Sequence, residues 1–472
     1  MNNDLNEMRQ KAMDFRKRKD YDSAYPLFEK LWNSRKETES KDNIKWDGWG
    51  YALCLNHFKK YDMALQVCKE VYKIDKNFNY IKGVYAFCLN QFKRFEEALS
   101  ICKEVYSKTK TNKYIISTYA WAAYNLYINK FDIEKGNIEE LLKYAKGIID
   151  LTRNTPEDLA RIETVLKIID NLEAIGKWND VLEWSKYLSP EKLNTEKYNH
   201  TLPDGKRVAL PSPKEKWFSK VTKAYEKLAR FQECLDLTNQ ALEFLPDDVW
   251  LTRRRAICLD HLGQNEESLK LLTSIASRKK EWFIFKDIAS IHYEKNDLEN
   301  ALKYCYESSL HAIRNPKQEN LWELYFMIAQ IHKRNNNSDK AKKYCLLSGL
   351  LRTEHEWKIP PKLQELALEL KVNFDQTQNS VVLIKELSKD WAENKYSGKE
   401  IKSGIIKTIM PSGKSGFIST GTQPDYFFRM SEFKGNKKYC VEKTKVTFYL
   451  EKSFDKKKNK ETEIAVNINV AE

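Results

Sequence analysis

Apolar side chains recur at helical spacing through the first 390 residues, and the pattern itself repeats about every 34 residues. Residues 61–65 and 95–99 are equivalent, and each has a small residue, Ala64 or Ala98, at the start of an amphipathic stretch. Since apolar residues three to four positions apart line one helix face, each copy predicts two helices that cross at the small residue. Five further clear copies have their small residue at Ala24, Cys234, Ser268, Ala301 and Ala341. Two irregular copies surround residues 143–145 and 178–181.

A helix–turn–helix unit of this length with a small residue at the crossing resembles the tetratricopeptide repeat. Pro246 lies twelve residues after Cys234, where that family often ends its second helix. The resemblance covers residues 1–372 and implies an all-α solenoid that folds as a stack, because a lone unit cannot bury its apolar stripe. It also implies a groove that binds a protein or a peptide.

Residues 189–216 interrupt this pattern with four prolines, and the two sides of the turn at 203–205 are expected to pair as a hairpin. The segment is either an insertion that covers the groove or braces the two blocks, or a loop that binds a partner or contacts nucleic acid through Lys206 and Arg207. We divide the chain into repeat blocks at 1–188 and 217–372, the insertion between them, a linker with a helix at 373–399, and a small domain at 400–472.

The spacing changes to strand-like alternation in this last domain. In residues 415–418 the outward positions are Ser415 and Phe417, and in residues 425–429 they are Phe427 and Arg429. If these strands are neighbours, two phenyl rings and a guanidinium share one face. Such a face can stack the bases of a single-stranded nucleic acid.

The same stretch resembles the cold-shock domains. Its matching motifs, in order, are Gly404-x-x-Lys407, Gly416-Phe417-Ile418, Asp425-x-Phe427-Phe428-x-x-Ser431 and Ala465-x-Asn467-Ile468. The resemblance implies a five-stranded barrel of the OB type with a nucleic-acid-binding face.

This chain also departs from the cold-shock pattern at four positions. The family has a Trp at the position of Thr408, an aromatic residue at Ser415, and His and Phe at Arg429 and Met430. Phe417 and Phe427 are the two rings that remain of the stacking set.

Net charge supports a polyanionic partner for the small domain. The whole chain carries +14, and residues 397–472 hold 15 Lys and Arg against 9 Asp and Glu, which is +6 in 76 residues. The residues predicted to bind nucleic acid are Lys407, Lys414, Phe417, Phe427, Arg429, Lys445 and Lys457. Lys457 belongs to a lysine-rich turn expected between the fourth and fifth strands of the barrel.

No pattern in the chain indicates catalysis, a cofactor or a metal site. Nine cysteines recur at repeat spacing without a CxxC pair, which predicts buried, reduced thiols. His292 and His332 are 40 residues apart in equivalent Ile-His pairs, so we expect them to pack between helices. Gly413-Lys414-Ser415 lacks the first glycine of a phosphate-binding loop, because Thr408 stands there. No apolar run approaches eighteen residues and the N-terminus has no apolar segment, so the sequence predicts a cytoplasmic protein without a membrane partner.

These observations favour a non-enzymatic adaptor with two partners. The barrel is expected to hold single-stranded nucleic acid, with RNA favoured although stacking alone does not distinguish RNA from DNA, and the solenoid a protein. A first alternative is a protein–protein scaffold with a degenerate barrel. A second is a regulatory component of a bacterial stress or defence system.

Overall fold

The computed structural model describes residues 2–35, 40–202, 204–313, 318–374, 379–396, 399–421, 425–434, 436–455 and 460–471. The chain forms two compact units, Met1–Arg230 and Phe231–Glu472. The boundary lies inside the second repeat block predicted from the sequence. In the part of the chain that is described, no helix is both long enough and apolar enough to cross a membrane.

The first unit contains eleven described helices and one hairpin. Its helices are α1 (Asn2–Lys17), α2 (Tyr21–Asn33), α3 (Lys41–His57), α4 (Tyr61–Ile74), α5 (Asn79–Gln91), α6 (Phe95–Lys108), α7 (Lys113–Ala123), α8 (Ile138–Leu151), α9 (Leu159–Ala174), α10 (Trp178–Ser185) and α11 (Pro213–Lys227). A π-helical turn, Tyr124–Ile128, continues α7. The hairpin joins β1 (Tyr198–Thr201) to β2 (Arg207–Leu210) in antiparallel register within the proline-rich insertion.

The second unit starts with nine described helices. They are α12 (Phe231–Phe244), α13 (Val249–His261), α14 (Asn265–Arg278), α15 (Trp282–Glu294), α16 (Leu298–Ala312), α17 (Trp322–Arg334), α18 (Ser338–Thr353), α19 (Pro361–Leu370) and α20 (Ser380–Tyr396). In α20, Trp391 is fully buried and its Nε1–H donates to the hydroxyl of Tyr344, 2.6 Å away. This helix therefore packs against the repeats instead of acting as a free tether.

The repeat register predicted from the sequence matches the helices. Each small residue is the fourth residue of the second helix of its pair, as Ala64 is in α4, and all seven clear copies are fully buried at that position. A residue with positive φ lies two positions before each of these helices; Lys59 (57°) and Lys93 (59°) are examples. Within each unit the helices thus stack as the tetratricopeptide-like solenoid that the sequence predicts.

Five strands close into a barrel after α20, which confirms the predicted small all-β domain. They are β3 (Lys402–Ile409), β4 (Ser415–Ser419), β5 (Tyr426–Arg429), β6 (Lys445–Asp455) and β7 (Lys460–Val470). Their order around the barrel is β3-β4-β5-β7-β6, and β6 pairs with β3 to complete the circle. The barrel has its own core, built from Ile406, Ile418, Phe428, Phe448, Ala465 and Ile468.

The cysteines and His332 take the packing roles expected of them. All nine cysteines are buried, and none of them forms a disulfide. Nε2 of His332 lies 2.8 Å from the Tyr306 hydroxyl, and burial lowers the pKa of His332 to about 4. His292 stacks on Tyr304, and its Nδ1 lies 2.9 Å from Asp297.

Candidate nucleic-acid interface

Alternation along β4 and β5 separates a core face from an outward face. In β4, Gly416 and Ile418 are buried while Phe417 is half-buried. In β5, Phe428 is buried and Arg429 is exposed. Because side chains alternate along a strand, Phe417, Phe427 and Arg429 all belong to the outward face, as the sequence predicts.

Phe417 and Phe427 lie directly opposite each other on the antiparallel pair β4–β5. Their ring centroids are 5.7 Å apart and the rings meet edge to face at 70°. We call these two side chains the ring pair. An edge-to-face contact holds both rings in defined orientations, so they form a fixed apolar surface before any ligand arrives.

Gly416 allows the strands beneath the ring pair to approach closely. A Cβ there would lie 2.5 Å from the Thr408 carbonyl oxygen and 2.7 Å from Cε1 of Phe428. Any larger residue would force β3 away from β4 or displace the core ring. The glycine beside Phe417 therefore serves the geometry of the barrel.

The basic residues near the ring pair differ in how available their charge is. Arg429 and Lys414 are exposed and form no ion pair within the described residues. Lys407 is exposed but its Nζ lies 2.6 Å from Oδ2 of Asp425, and this hydrogen bond lowers the pKa of Asp425. A phosphate group at Lys407 would have to compete with that carboxylate.

Three other predicted or family positions lie around the ring pair in different ways. Thr408 of β3 is directly opposite Phe417, so the missing family ring would extend the ring pair by one strand. Lys445 is on β6 opposite Ile405 of β3, which places it a strand farther from β4. Lys457 lies outside the described residues.

Strand β6 holds the barrel against the helices of the second unit. Oε1 of Glu451 lies 2.6 Å from Nζ of Lys395 at the end of α20, and its Oε2 lies 2.6 Å from Nζ of Lys280, which follows α14. The rings of Tyr396 and Tyr449 stack beside them with centroids 4.4 Å apart. We call these five residues the junction.

The charged side chains of the junction are largely buried and stabilise one another. Burial raises the pKa of Glu451, but Lys395 and Lys280 outweigh it and bring the pKa to about 2. Burial likewise lowers the pKa of Lys395, yet Glu307 and Glu451 raise it overall. A carboxylate held between two ammonium groups in this way favours one seating of the barrel.

The junction and the ring pair are on opposite sides of the barrel. In the closed strand order, β6 has β3 and β7 as neighbours, so a strand separates it from β4 and from β5 in each direction. The ion pairs of Glu451 with Lys280 and Lys395 are therefore on β6, which is not a direct neighbour of either strand of the ring pair.

Sequence reasoning missed the junction. Glu451 and Lys280 are separated by 171 residues, and each taken alone resembles an ordinary surface charge. The tyrosine next to Lys395 and the tyrosine two residues before Glu451 were the available signals, because aromatic residues beside charges are common at protein contacts.

A family model described as a domain of unknown function (DUF7017) matches residues 249–390. This stretch runs from α13 into α20 and ends before the barrel begins. No curated protein sequence matches the chain.

Solved structures with some similarity to this chain include three helical-repeat proteins. A human IFIT1 dimer with m7Gppp-AAAA has 15% identity and a TM-score of 0.34, and the match covers 81% of this chain and 86% of that one. TTC0263, a thermophilic TPR protein from Thermus thermophilus, has 17% identity and a TM-score of 0.24 over 46% and 98%. PilF of Pseudomonas aeruginosa has 11% identity and a TM-score of 0.34 over 53% and 96%. TM-scores this low support no inference about this chain.

Proposed function

We propose that this protein is a non-enzymatic adaptor that binds single-stranded nucleic acid, RNA above all, through its barrel and a protein partner through its helical repeats. One observation carries the nucleic-acid part. Phe417 and Phe427 lie side by side on the outward face of β4–β5, beside Arg429 and Lys414, which pair with no described carboxylate, and the junction is on a different strand, β6.

Stacking supplies most of the proposed affinity. A base that stacks on an aromatic side chain gains about 1–3 kcal/mol, whichever base it is. The guanidinium plane of Arg429 offers a third stacking surface and a positive charge, and Lys414 adds a phosphate contact. Two rings with two such cations support binding that is weak per nucleotide, tolerant of sequence and sensitive to salt.

The strand topology supports a cold-shock-like identity for the barrel. The motif residues Phe417 and Phe427 are on adjacent strands, as the two aromatic motifs of that family require, and Gly416 is required by the close approach of β3. Thr408 in place of a family Trp shortens the aromatic row to two rings. We infer a cold-shock-like module with a reduced stacking surface.

Exposed aromatic rings near the N-terminus of the first helix in two repeat pairs support the protein-binding part of this proposal. In the first unit, Tyr80 of α5 is 55% exposed and contacts Trp46 and Trp49 of α3. In the second unit, Trp250 of α13 is 54% exposed and stacks on Phe283 of α15 at 4.7 Å. Exposed aromatic groups with few rotatable bonds are typical anchors of protein interfaces.

Alanine variants of the ring pair test the nucleic-acid part. Phe417→Ala and Phe427→Ala in the full-length chain should each weaken binding of a labelled single-stranded RNA by about 1–3 kcal/mol, nearly independently of base identity. Fluorescence anisotropy measures this, with a single-stranded DNA of the same sequence as a second probe. Tyr439→Ala is the matched control, because Tyr439 is a barrel ring that is 61% exposed and outside the ring pair.

Thr408→Trp tests the same surface by gain of affinity. The new ring would lie opposite Phe417 and should tighten binding by about 1 kcal/mol or more.

The competing function is a protein–protein scaffold, which the neutralisation of Lys407 by Asp425 favours. If the phenylalanine variants bind RNA as the parent does but lose a protein partner in pull-downs, the scaffold is correct and the adaptor is not.

A further inference from the structure

The first unit contains a cleft that is lined by none of the residues assigned above to nucleic-acid or protein binding. It lies where α6, α7, the π-helical turn and α8 meet, and its volume is about 530 Å³. A cleft of this size can accommodate a small organic ligand. All of its walls belong to one compact unit.

Four tyrosine rings line the cleft. Tyr127 and Tyr144 stack with centroids 4.2 Å apart and planes only 6° from parallel. Tyr106 and Tyr119 meet edge to face at 6.0 Å. These rings supply flat apolar surface, and a tyrosine loses little side-chain entropy when a ligand fixes it.

A local departure from α-helical geometry places Tyr127 on this wall. The backbone N–H of Asn129 donates to the carbonyl oxygen of Tyr124 at 2.9 Å, a bond to the fifth preceding residue. Turns of this π type are rare within helices and are frequent at functional sites. Tyr127 lies within the turn, between the two bonded residues.

Two lysines give the cleft a positive charge. Lys103 of α6 and Lys143 of α8 both line it, are exposed, and form no ion pair within the described residues. The one carboxylate in the described lining is Asp150, which is held by Lys146 at 3.4 Å and Arg153 at 3.3 Å. The two cleft lysines therefore remain available to an anion.

Gly147 keeps the floor of the cleft open. It is the tenth of the fourteen residues of α8, where glycine is less favourable than alanine. Packing does not require it, because a Cβ at this position would meet no atom within 4 Å. Gly147 costs helix stability and is not needed for packing. The backbone of α8 at this position is therefore open to close approach by a ligand.

We propose that this cleft binds a nucleotide. Its base would stack on the tyrosine wall above Gly147 and its phosphate would contact Lys103 and Lys143. Flat rings combined with available point charges match a base joined to a phosphate, whether the nucleotide is free or part of a strand. The site is in the first unit and does not depend on the ring pair.

The test uses the full-length chain carrying Phe417→Ala and Phe427→Ala, so that the barrel contributes least to binding. Calorimetric titration with AMP and with a 5′-phosphorylated trinucleotide should each give saturable binding at submillimolar concentration. Equal affinities identify the free nucleotide as sufficient, and a much tighter trinucleotide identifies a strand. Failure of the barrel to bind RNA would leave this result unaffected.

Gly147→Leu is the decisive variant. Leucine is a better helix former and its Cβ would meet no atom within 4 Å, so the melting temperature should equal or exceed that of the parent. Binding should nevertheless fall by at least about tenfold, because the side chain occupies the place of the base. The Lys103→Ala, Lys143→Ala double variant should weaken binding by a similar factor and reduce its salt dependence.

The preceding repeat offers matched controls. Lys69 and Tyr72 lie 34 residues before Lys103 and Tyr106, at equivalent places in α4, and neither lines the cleft. Lys69→Ala and Tyr72→Ala should bind both probes as the parent does. The proposal is overturned if neither probe binds, if Gly147→Leu binds as tightly as the parent, or if an acidic tyrosine-containing peptide binds there and the nucleotides do not.

Discussion

Whether a lysine can contact a phosphate depends on which charged groups already surround it. Lys407 and Lys414 look alike in the sequence, and both flank the motifs of the barrel. The structure pairs Lys407 with Asp425, whereas Lys414 has no ion pair within the described residues. An ammonium group that is already paired neutralises a phosphate less completely, so it releases fewer of the counterions condensed on the nucleic acid.

The salt dependence of RNA binding should therefore separate these two lysines. Lys414→Ala should reduce the slope of log affinity against log salt by about 0.7–1, the value for one lost phosphate contact on a single strand. Lys407→Ala should reduce it less, and Asp425→Asn should raise affinity by freeing Lys407. Anisotropy titrations at several salt concentrations measure the slopes.

Lys452→Ala is the control for the salt-dependence experiment, because Lys452 is an exposed lysine on β6, away from the ring pair. An unchanged slope in Lys414→Ala would exclude that lysine from the interface.

At the scale of the helix pair, one small buried residue and one unusual backbone conformation set the geometry. The small residue lets the two helices approach each other. The turn before the second helix needs a residue with positive φ, and lysine occupies that place at Lys19, Lys59 and Lys93. Because a non-glycine residue there carries a backbone cost, the packing of the pair must supply the compensating stability.

Enlarging the small residue should destabilise the first unit. Ala64→Leu or Ala98→Leu inserts three carbons into a fully buried crossing and should cost about 1–3 kcal/mol of unfolding free energy. Urea denaturation followed by circular dichroism measures the change. Met63→Leu, one position away and 45% exposed, should have almost no effect. Equal stability of the alanine variants and the parent would show that this crossing is not tightly packed.

At the scale of the second unit, the junction determines how the barrel is seated on the helices. Trp391 anchors α20 among the repeats, and the next turn of the same helix presents Lys395 and Tyr396 to β6. The junction thus engages β6, whereas the ring pair is on β4 and β5. In the proposed adaptor, a nucleic acid on β4 and β5 would not compete with the ion pairs of β6.

Glu451→Gln should loosen this seating. Removing the carboxylate leaves Lys280 and Lys395 without their shared partner, which should cost about 1–3 kcal/mol given the partial exposure of the lysines. Hydrogen exchange of β6 and the end of α20 should accelerate. Glu463→Gln, an exposed glutamate on β7, is the control. Unchanged protection in Glu451→Gln would mean that the tyrosine stack alone holds the barrel.

Acid should have the same effect on the parent. The pKa of Glu451 is lowered to about 2 in the folded chain, whereas an unperturbed glutamate has a pKa of about 4.3. The unfolded state therefore binds the proton first, and the stabilisation, complete above about pH 4.3, is lost as the pH falls towards 2. The Glu451→Gln variant should lack this component of the pH dependence.

The sequence by itself determined the features that depend on local periodicity. The repeat register, the buried small residues and the outward direction of Phe417 and Phe427 all follow from spacings of 3.6 and 2 residues, which neighbouring residues impose on each other. Only the tertiary structure decided which charges are paired and which faces stay open. Glu451 meets Lys280 across 171 residues, and the cleft beside Gly147 is lined from three separate helices. Such contacts depend on how elements that are distant in the sequence pack together, and this packing cannot be inferred from the residue spacing within one segment.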